Sequence, residues 1–231
     1  MIYFLIPLLT AHVLGDFLLQ PNWMSGEAKK RPGILAFHAL LHGTLAYLLV
    51  QRQTMWPVVL FVGLSHALID FCKSRCRQSP RAFAIDQFAH GLALTVIAIL
   101  CAETGYHARI AGMELMIVVT GLVSSVWGAG HFIRTVADRL CEQNPDLREA
   151  LSHGLENGGA MIGKLERALI FLLVFIGQPG GVGFLIAAKS IIRFEEAKKQ
   201  PLAEYVLIGT LWSFGLSMAI ASASRVLLGK V

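Results

Sequence analysis

Apolar runs as long as a bilayer is thick constrain this chain more than any other feature. There are eight, at about 2–20, 33–50, 56–72, 83–101, 111–130, 158–177, 181–194 and 202–222, with boundaries uncertain by roughly 2–4 residues. Most reach or approach the ~20 residues that cross a hydrocarbon core. The third is somewhat short. The seventh is too short to cross alone, and reads as re-entrant or tilted behind the turn signal Gln178-Pro179-Gly180-Gly181. With 55% hydrophobic residues, only 15% charged and a mean hydropathy of +0.61, the chain is richer in apolar side chains than a soluble domain. The expected fold is all-α, a polytopic transmembrane helix bundle of about 7–8 spans.

Lysine and arginine orient the bundle. If the N-terminus is outside, the inner loops hold Lys29, Lys30 and Arg31, then Lys73, Arg75, Arg77 and Arg81, then Arg134, Arg139 and Arg148, then Lys198 and Lys199. The outer loops keep only Arg52 and Arg109. The first run, which lacks a basic n-region and a small-residue cleavage site, reads as a spanning helix and not as a removed signal. Residues 131–157 mix both signs of charge and read as amphipathic helices on the cytoplasmic face. The chain divides accordingly into a four-helix bundle (1–105), a fifth span with this amphipathic segment (106–157), and C-terminal membrane helices (158–231). A net charge of +5 placed in loops beside spans points to anionic lipid headgroups, and no nucleic-acid partner is expected. Cys72, Cys76, Cys101 and Cys141 have no disulfide-framework spacing.

Four polar pairs interrupt the first four runs: His12 and Asp16, His38 and His42, His66 and Asp70, Asp86 and His90. Each is spaced i, i+4, so both side chains share one helix face a turn apart. In odd spans the pair comes late, and in even spans it comes early. Alternating direction then brings all eight groups to one level, toward the cytoplasmic end. An aspartate within a span costs about 2.5–3.5 kcal/mol on insertion scales, so these groups need pairing, water or metal. Mixed imidazole and carboxylate donors suit Zn²⁺, Mn²⁺ or Fe²⁺. Eight candidates exceed the four ligands of one tetrahedral zinc, and one or two ions are expected. A His–Asp proton relay competes with this reading.

A second polar set lies in the last three runs: Lys164, Glu166, Arg167, Lys189, Arg193 and Glu204. Opposite charges there can pair, for instance Glu166 or Glu204 with Lys189 or Arg193. As an anion clamp, Arg167, Lys189 and Arg193 would bind the phosphate of a substrate, with Lys73 as a further candidate or an interface anchor.

The motifs HxxxDFxLQ, HxxxH, HxxxIDxxK and DQxxH, with IGKLERALI, IAAKSIIRFEE and EYVLIGT in the second half, resemble a bacterial family of uncharacterised polytopic membrane proteins. A looser similarity connects the chain to the LexA-associated inner-membrane metal-dependent hydrolases. Where that group carries Arg and Ser after the histidines of its His-pair motif, this chain carries Ala39 and Gly43. These resemblances imply a multi-pass protein of the bacterial inner membrane. The expected activity is metal-dependent hydrolysis of the phosphoesterase class, on a lipid or lipid-linked substrate at the cytoplasmic leaflet, with Asp86 taking the proton. The competing class is a divalent-metal or proton-coupled transporter using the pairs as its ion path. A di-iron oxidoreductase would favour glutamates, which the four pairs lack.

Overall fold

A computed structural model describes residues 1–24, 31–51, 53–103, 111–151, 158–192 and 200–231. Among these residues the chain is helical and has no strand. It forms two compact units, residues 1–123 and 124–230.

The first unit contains α1 (Ile2–Phe17), α2 (Pro32–Val50), α3 (Pro57–Lys73), α4 (Pro80–Glu103) and α5 (Met113–Val123). Proline opens α2, α3 and α4, where its missing N–H costs nothing and its fixed φ suits the first turn. The Ser79 hydroxyl accepts from the Ala82 N–H and caps α4. Gln51, at φ 56°, ends α2 in the left-handed conformation. Each of α1 to α4 packs on its neighbour in sequence, and α4 returns to α1, which closes a four-helix ring; α5 lies against α1. The Thr10 and Thr120 hydroxyls lie 2.8 Å apart across that last contact.

α4 shows how the sequence sets this arrangement. Ile85, Phe88, Leu92 and Val96 form one exposed stripe, while Asp86, His90 and Leu94 face inward. A soluble helix would show the reverse, because apolar surface leaves water at about 25 cal/mol per Å². Away from the polar groups the ring is filled by a dry layer that includes Leu8, Ala46, Val50, Val58, Val62 and Ala98.

Helices α2 and α3 approach unusually closely. A Cβ on Gly43 would collide with the main-chain carbonyl of Val59, and one on Gly63 would lie 3.2 Å from the Ala39 carbonyl. Small residues therefore let two backbones meet. Gly43 stands where the looser family carries serine, and here the position has no room for a side chain.

The second unit contains α6 (Ala129–Gln143), α7 (Pro145–Leu151), α8 (Gly158–Phe175), α9 (Gly181–Ile192) and α10 (Gln200–Leu228), with a π-helical turn at Ser124–Gly128. α10 packs on α6 and α8, and the π turn contacts all three. α8 ends at Gly177, φ 81°, where the Gln178 N–H reaches back to the Leu173 carbonyl at 2.7 Å.

Among the described residues four helices are long and apolar enough to cross a membrane: Pro32–Val50, Pro80–Glu103, Met113–Gln143 and Pro201–Leu228. Ile2–Phe17 and Gly181–Ile191 are shorter apolar helices. The fifth apolar run passes without interruption through the π turn into a helix that ends at Gln143, where an amphipathic helix was expected from residue 131. Lys29, Lys30, Arg52, Arg109, Arg193, Lys198 and Lys199 lie outside the described residues.

Candidate metal centre

The eight His and Asp residues come together within the first unit. They occupy the end of α1, the first half of α2, the end of α3 and the start of α4. Antiparallel succession in the ring brings these stretches to one level. His38, His42, His66, Asp70, Asp86 and His90 are all less than 5% exposed, His12 is 5% exposed, and the Asp16 side chain is 7% exposed.

Asp16 is the hub. Its Oδ1 lies 3.2 Å from His38 Nε2, 3.2 Å from His42 Nε2 and 3.6 Å from His66 Nε2; its Oδ2 lies 3.8 Å from His12 Nε2. Asp70 Oδ2 stands 3.5 Å from His66 Nε2 and 3.7 Å from His38 Nε2. The His42 and His66 rings stack at 3.6 Å, and those of His12 and His90 at 4.7 Å. Most of these N···O separations exceed a good N–H···O hydrogen bond. Two ligands about 2.1 Å from a tetrahedral ion stand about 3.4 Å apart, which is the spacing seen here.

Hydrogen bonds fix two imidazole tautomers. His90 Nδ1 is 3.0 Å from the main-chain oxygen of Asp86, one turn earlier. A carbonyl only accepts, so Nδ1 carries the hydrogen and Nε2 is left with its lone pair. The Gln87 amide nitrogen donates to Asp86 Oδ2 at 3.1 Å, which turns its oxygen toward His12 Nε2 at 3.4 Å. Nε2 of His12 is then the protonated atom and Nδ1 the free one. Gln87 carried no expectation in the sequence, although it is the second letter of the DQxxH motif. Among the described residues, His12 Nδ1, His38 Nδ1, His42 Nε2, His66 Nε2, His90 Nε2 and Asp86 Oδ1 are buried without a hydrogen-bond partner. Each such atom is expensive in a dry interior unless something binds it.

Three overlapping groups have ligand atoms mutually within 4.8 Å and can hold a metal ion: His12, Asp16, His42 and His66; His38, His66 and Asp70; and Asp70, Asp86 and His90. Together they use all eight residues. One imidazole nitrogen serves one ion, so His66 cannot complete the first and second groups at once. The first and third share no residue and are compatible.

Lys73 Nζ donates to Asp86 Oδ2, and the Lys73 side chain is 34% exposed. Thus Lys73, a candidate for substrate phosphate, has a carboxylate partner. Arg167 and Lys189 belong to the second unit. Lys189 forms an ion pair with Glu166 at 2.8 Å, one of the pairings the sequence suggested. Arg167 donates from Nε to the Val126 carbonyl at 3.0 Å. A small cavity lined by His12, His42, His66, His90, Val62, Ser65, Ala93 and Leu94 opens inside the ring. Gly15 is a further residue that sequence reasoning passed over: a Cβ there would collide with the His42 imidazole.

Residues 4–120, half of the chain, match the family described as Protein of unknown function (DUF3307). The chain belongs to the DUF3307 family. The DUF3307 match contains all eight His and Asp residues and ends before the π turn, so the family region takes in the whole cluster. It is consistent with the expected resemblance to an uncharacterised family. No curated protein and no solved structure matches the chain.

Proposed function

We propose that the DUF3307 unit is a membrane-embedded centre for two divalent metal ions, and that it hydrolyses a phosphate ester of a lipid or lipid-linked substrate. The observation that carries this reading is the set of buried, unpartnered imidazole nitrogens from four helices, two of which, His42 Nε2 and His66 Nε2, stand from the Asp16 carboxylate as ligands of one ion are spaced. His12, Asp16, His42 and His66 would hold one ion with four protein ligands, the closed arrangement of a structural position. Asp70, Asp86 and His90 would hold the other with three, which leaves a place for water or substrate. Zn²⁺ suits this mixed donor set, with Mn²⁺ and Fe²⁺ as alternatives.

Divalent metal supplies a water acidified toward neutral pH and polarisation of a phosphoryl oxygen. The chain's own residues do the rest. Lys73 and Gln87 both bind Asp86 Oδ2 and fix the carboxylate, and Oδ1, which has no hydrogen-bond partner among the described residues, would accept the proton. Lys73, the partly exposed cation at this end, meets the phosphate of an arriving substrate. His38 stands between Asp16 and Asp70 and links the two positions. The looser likeness to the LexA-associated metal-dependent hydrolases supports the same reaction class.

The finer topology belongs to this reading. With seven or eight spans in a bacterial inner membrane and the N-terminus outside, the basic loops put the cluster beneath the cytoplasmic headgroups. A transporter's site is expected nearer the midplane, often at broken helices. The helices that carry the cluster are not broken at it, although His42 and His66 lie near the middle of α2 and α3, and this continuity favours hydrolysis.

The test uses purified protein in detergent with Zn²⁺ or Mn²⁺ and a phosphate-ester lipid. Metal-dependent phosphate release is expected, together with a fall of at least about 100-fold in Asp70→Ala, which retains metal at the four-ligand position. Metal uptake into proteoliposomes without any hydrolysis would reject the enzyme and assign the pairs to an ion path.

A further inference from the structure

The second unit contains a buried cation that has no ion-pair partner among the described residues. Arg167, in the third turn of α8, is only 5% exposed. Its Nε bond to the Val126 carbonyl uses one of five N–H donors and satisfies an oxygen of the π turn. Among the described residues no carboxylate lies within ion-pair distance of it. Its neighbour Glu166 closes on Lys189 instead and acts on the guanidinium only through space. A buried charge left unpaired is strongly destabilising.

The surroundings are built to accept this group. A Cβ on Gly130 would lie 2.5 Å from Nη2, and one on Gly163 would lie 2.9 Å from Nη1. Two bare stretches of helix, one on α6 and one on α8, therefore hold the guanidinium flat and stop it from swinging to a new position. Ser125, in the same π turn as Val126, is fully buried and its hydroxyl has no hydrogen-bond partner. Single π turns of this kind recur at functional sites, because the wider register re-aims main-chain groups.

We infer that Arg167 anchors an oxyanion site in the second unit, with the π turn as its wall and a phosphate-class group as its ligand. The guanidinium fork matches two oxygens of such a group with parallel N–H···O bonds. The ligand would be either a phospholipid headgroup or free phosphate. The inference stands on different residues from the metal centre and does not depend on it.

The full chain in a phosphate-free detergent, with chelator present so that the metal positions take no phosphate, is titrated with inorganic phosphate or with phosphatidylglycerol. The readout is the thermal unfolding midpoint. A saturable rise is expected in the wild type. In Arg167→Lys, which keeps the charge but loses the fork, and in Gly163→Ala, which displaces Nη1, the apparent affinity should fall at least tenfold. A response to phosphatidylglycerol alone identifies a headgroup site, and a response to both identifies a phosphate site. If neither ligand moves the wild-type midpoint, or if both variants respond as the wild type does, the site does not exist. Should Arg167→Lys not fold, Gly163→Ala and the wild-type titration decide.

Discussion

Asp16→Ala is expected to strip one metal ion from the protein and leave the other. The Asp16 carboxylate stands 3.2–3.8 Å from the imidazole nitrogens of His12, His38, His42 and His66. It is the only carboxylate among the four ligands of the closed position. Its removal takes away a donor oxygen and the negative charge that offsets the ion in a dry interior. Outer-shell changes around a bound metal cost 10–100-fold in affinity, so loss of this inner ligand should cost more than about 100-fold. The Asp70, Asp86 and His90 position does not use Asp16 and should keep its ion. Asp16→Asn separates charge from shape: it preserves the packing of the side chain and should lose the same ion. Metal per protein, measured after dialysis against a weak chelator, reads both variants. An unchanged metal content in either would contradict the placing of Asp16 at the hub.

The second large effect comes from a residue that touches no metal. In Gly43→Ala the added methyl would occupy the place of the Val59 carbonyl. α3 cannot yield by a rotamer change there, because the obstacle is backbone, and so α2 and α3 must separate. Overpacking of this kind typically costs about 1–3 kcal/mol, and a backbone obstacle puts Gly43 at the upper end. Those two helices carry four of the eight site residues, His38 and His42 on one and His66 and Asp70 on the other. Separation therefore pulls His42 away from His66 in the four-ligand position, and metal content should fall together with thermal stability. Gly91→Ala provides the comparison. A Cβ at Gly91 meets nothing within 4 Å, so this exchange, beside His90 on α4, should leave metal content unchanged. It should be neutral or slightly stabilising, since alanine is favoured over glycine inside a helix by about 0.5–1 kcal/mol. Equal loss in both variants would mean that close approach of α2 and α3 is not what assembles the site.

The site was legible in the sequence because its rule is local. Spacing of i, i+4 fixes a shared helix face, and alternation of span direction fixes a shared level, so His12 through His90 could be brought together without knowing any contact. The division of seven of the eight into a four-ligand and a three-ligand group, with His38 between them, was not legible, since it depends on distances between helices. Gln87 escaped notice for a similar reason: an amide beside an aspartate becomes informative only when both of its ends find partners. Gly15 and Gly43 read as glycines tolerated inside helices, and their role appears only when a neighbouring ring or carbonyl occupies the space of the missing Cβ. The amphipathic helix read from His131 onward was legible in its polarity; that it is continuous with the fifth run was not, because change of polarity alone does not break a helix. Lys189 with Glu166 was within reach of charge matching. Arg167 was not, because its partner is a main-chain oxygen in a π turn, which has no signature in side-chain order.

The central claim is that the clustered His and Asp side chains of the first unit serve as metal ligands, seven of them directly, and are not merely a hydrogen-bonded relay. Metal analysis of the full-length protein, purified in detergent from cells grown with ample zinc, manganese and iron, tests it directly. The account predicts about two equivalents of divalent metal per chain that survive gel filtration. Folded protein carrying only trace metal, and gaining none when Zn²⁺, Mn²⁺ or Fe²⁺ is added back, would contradict it.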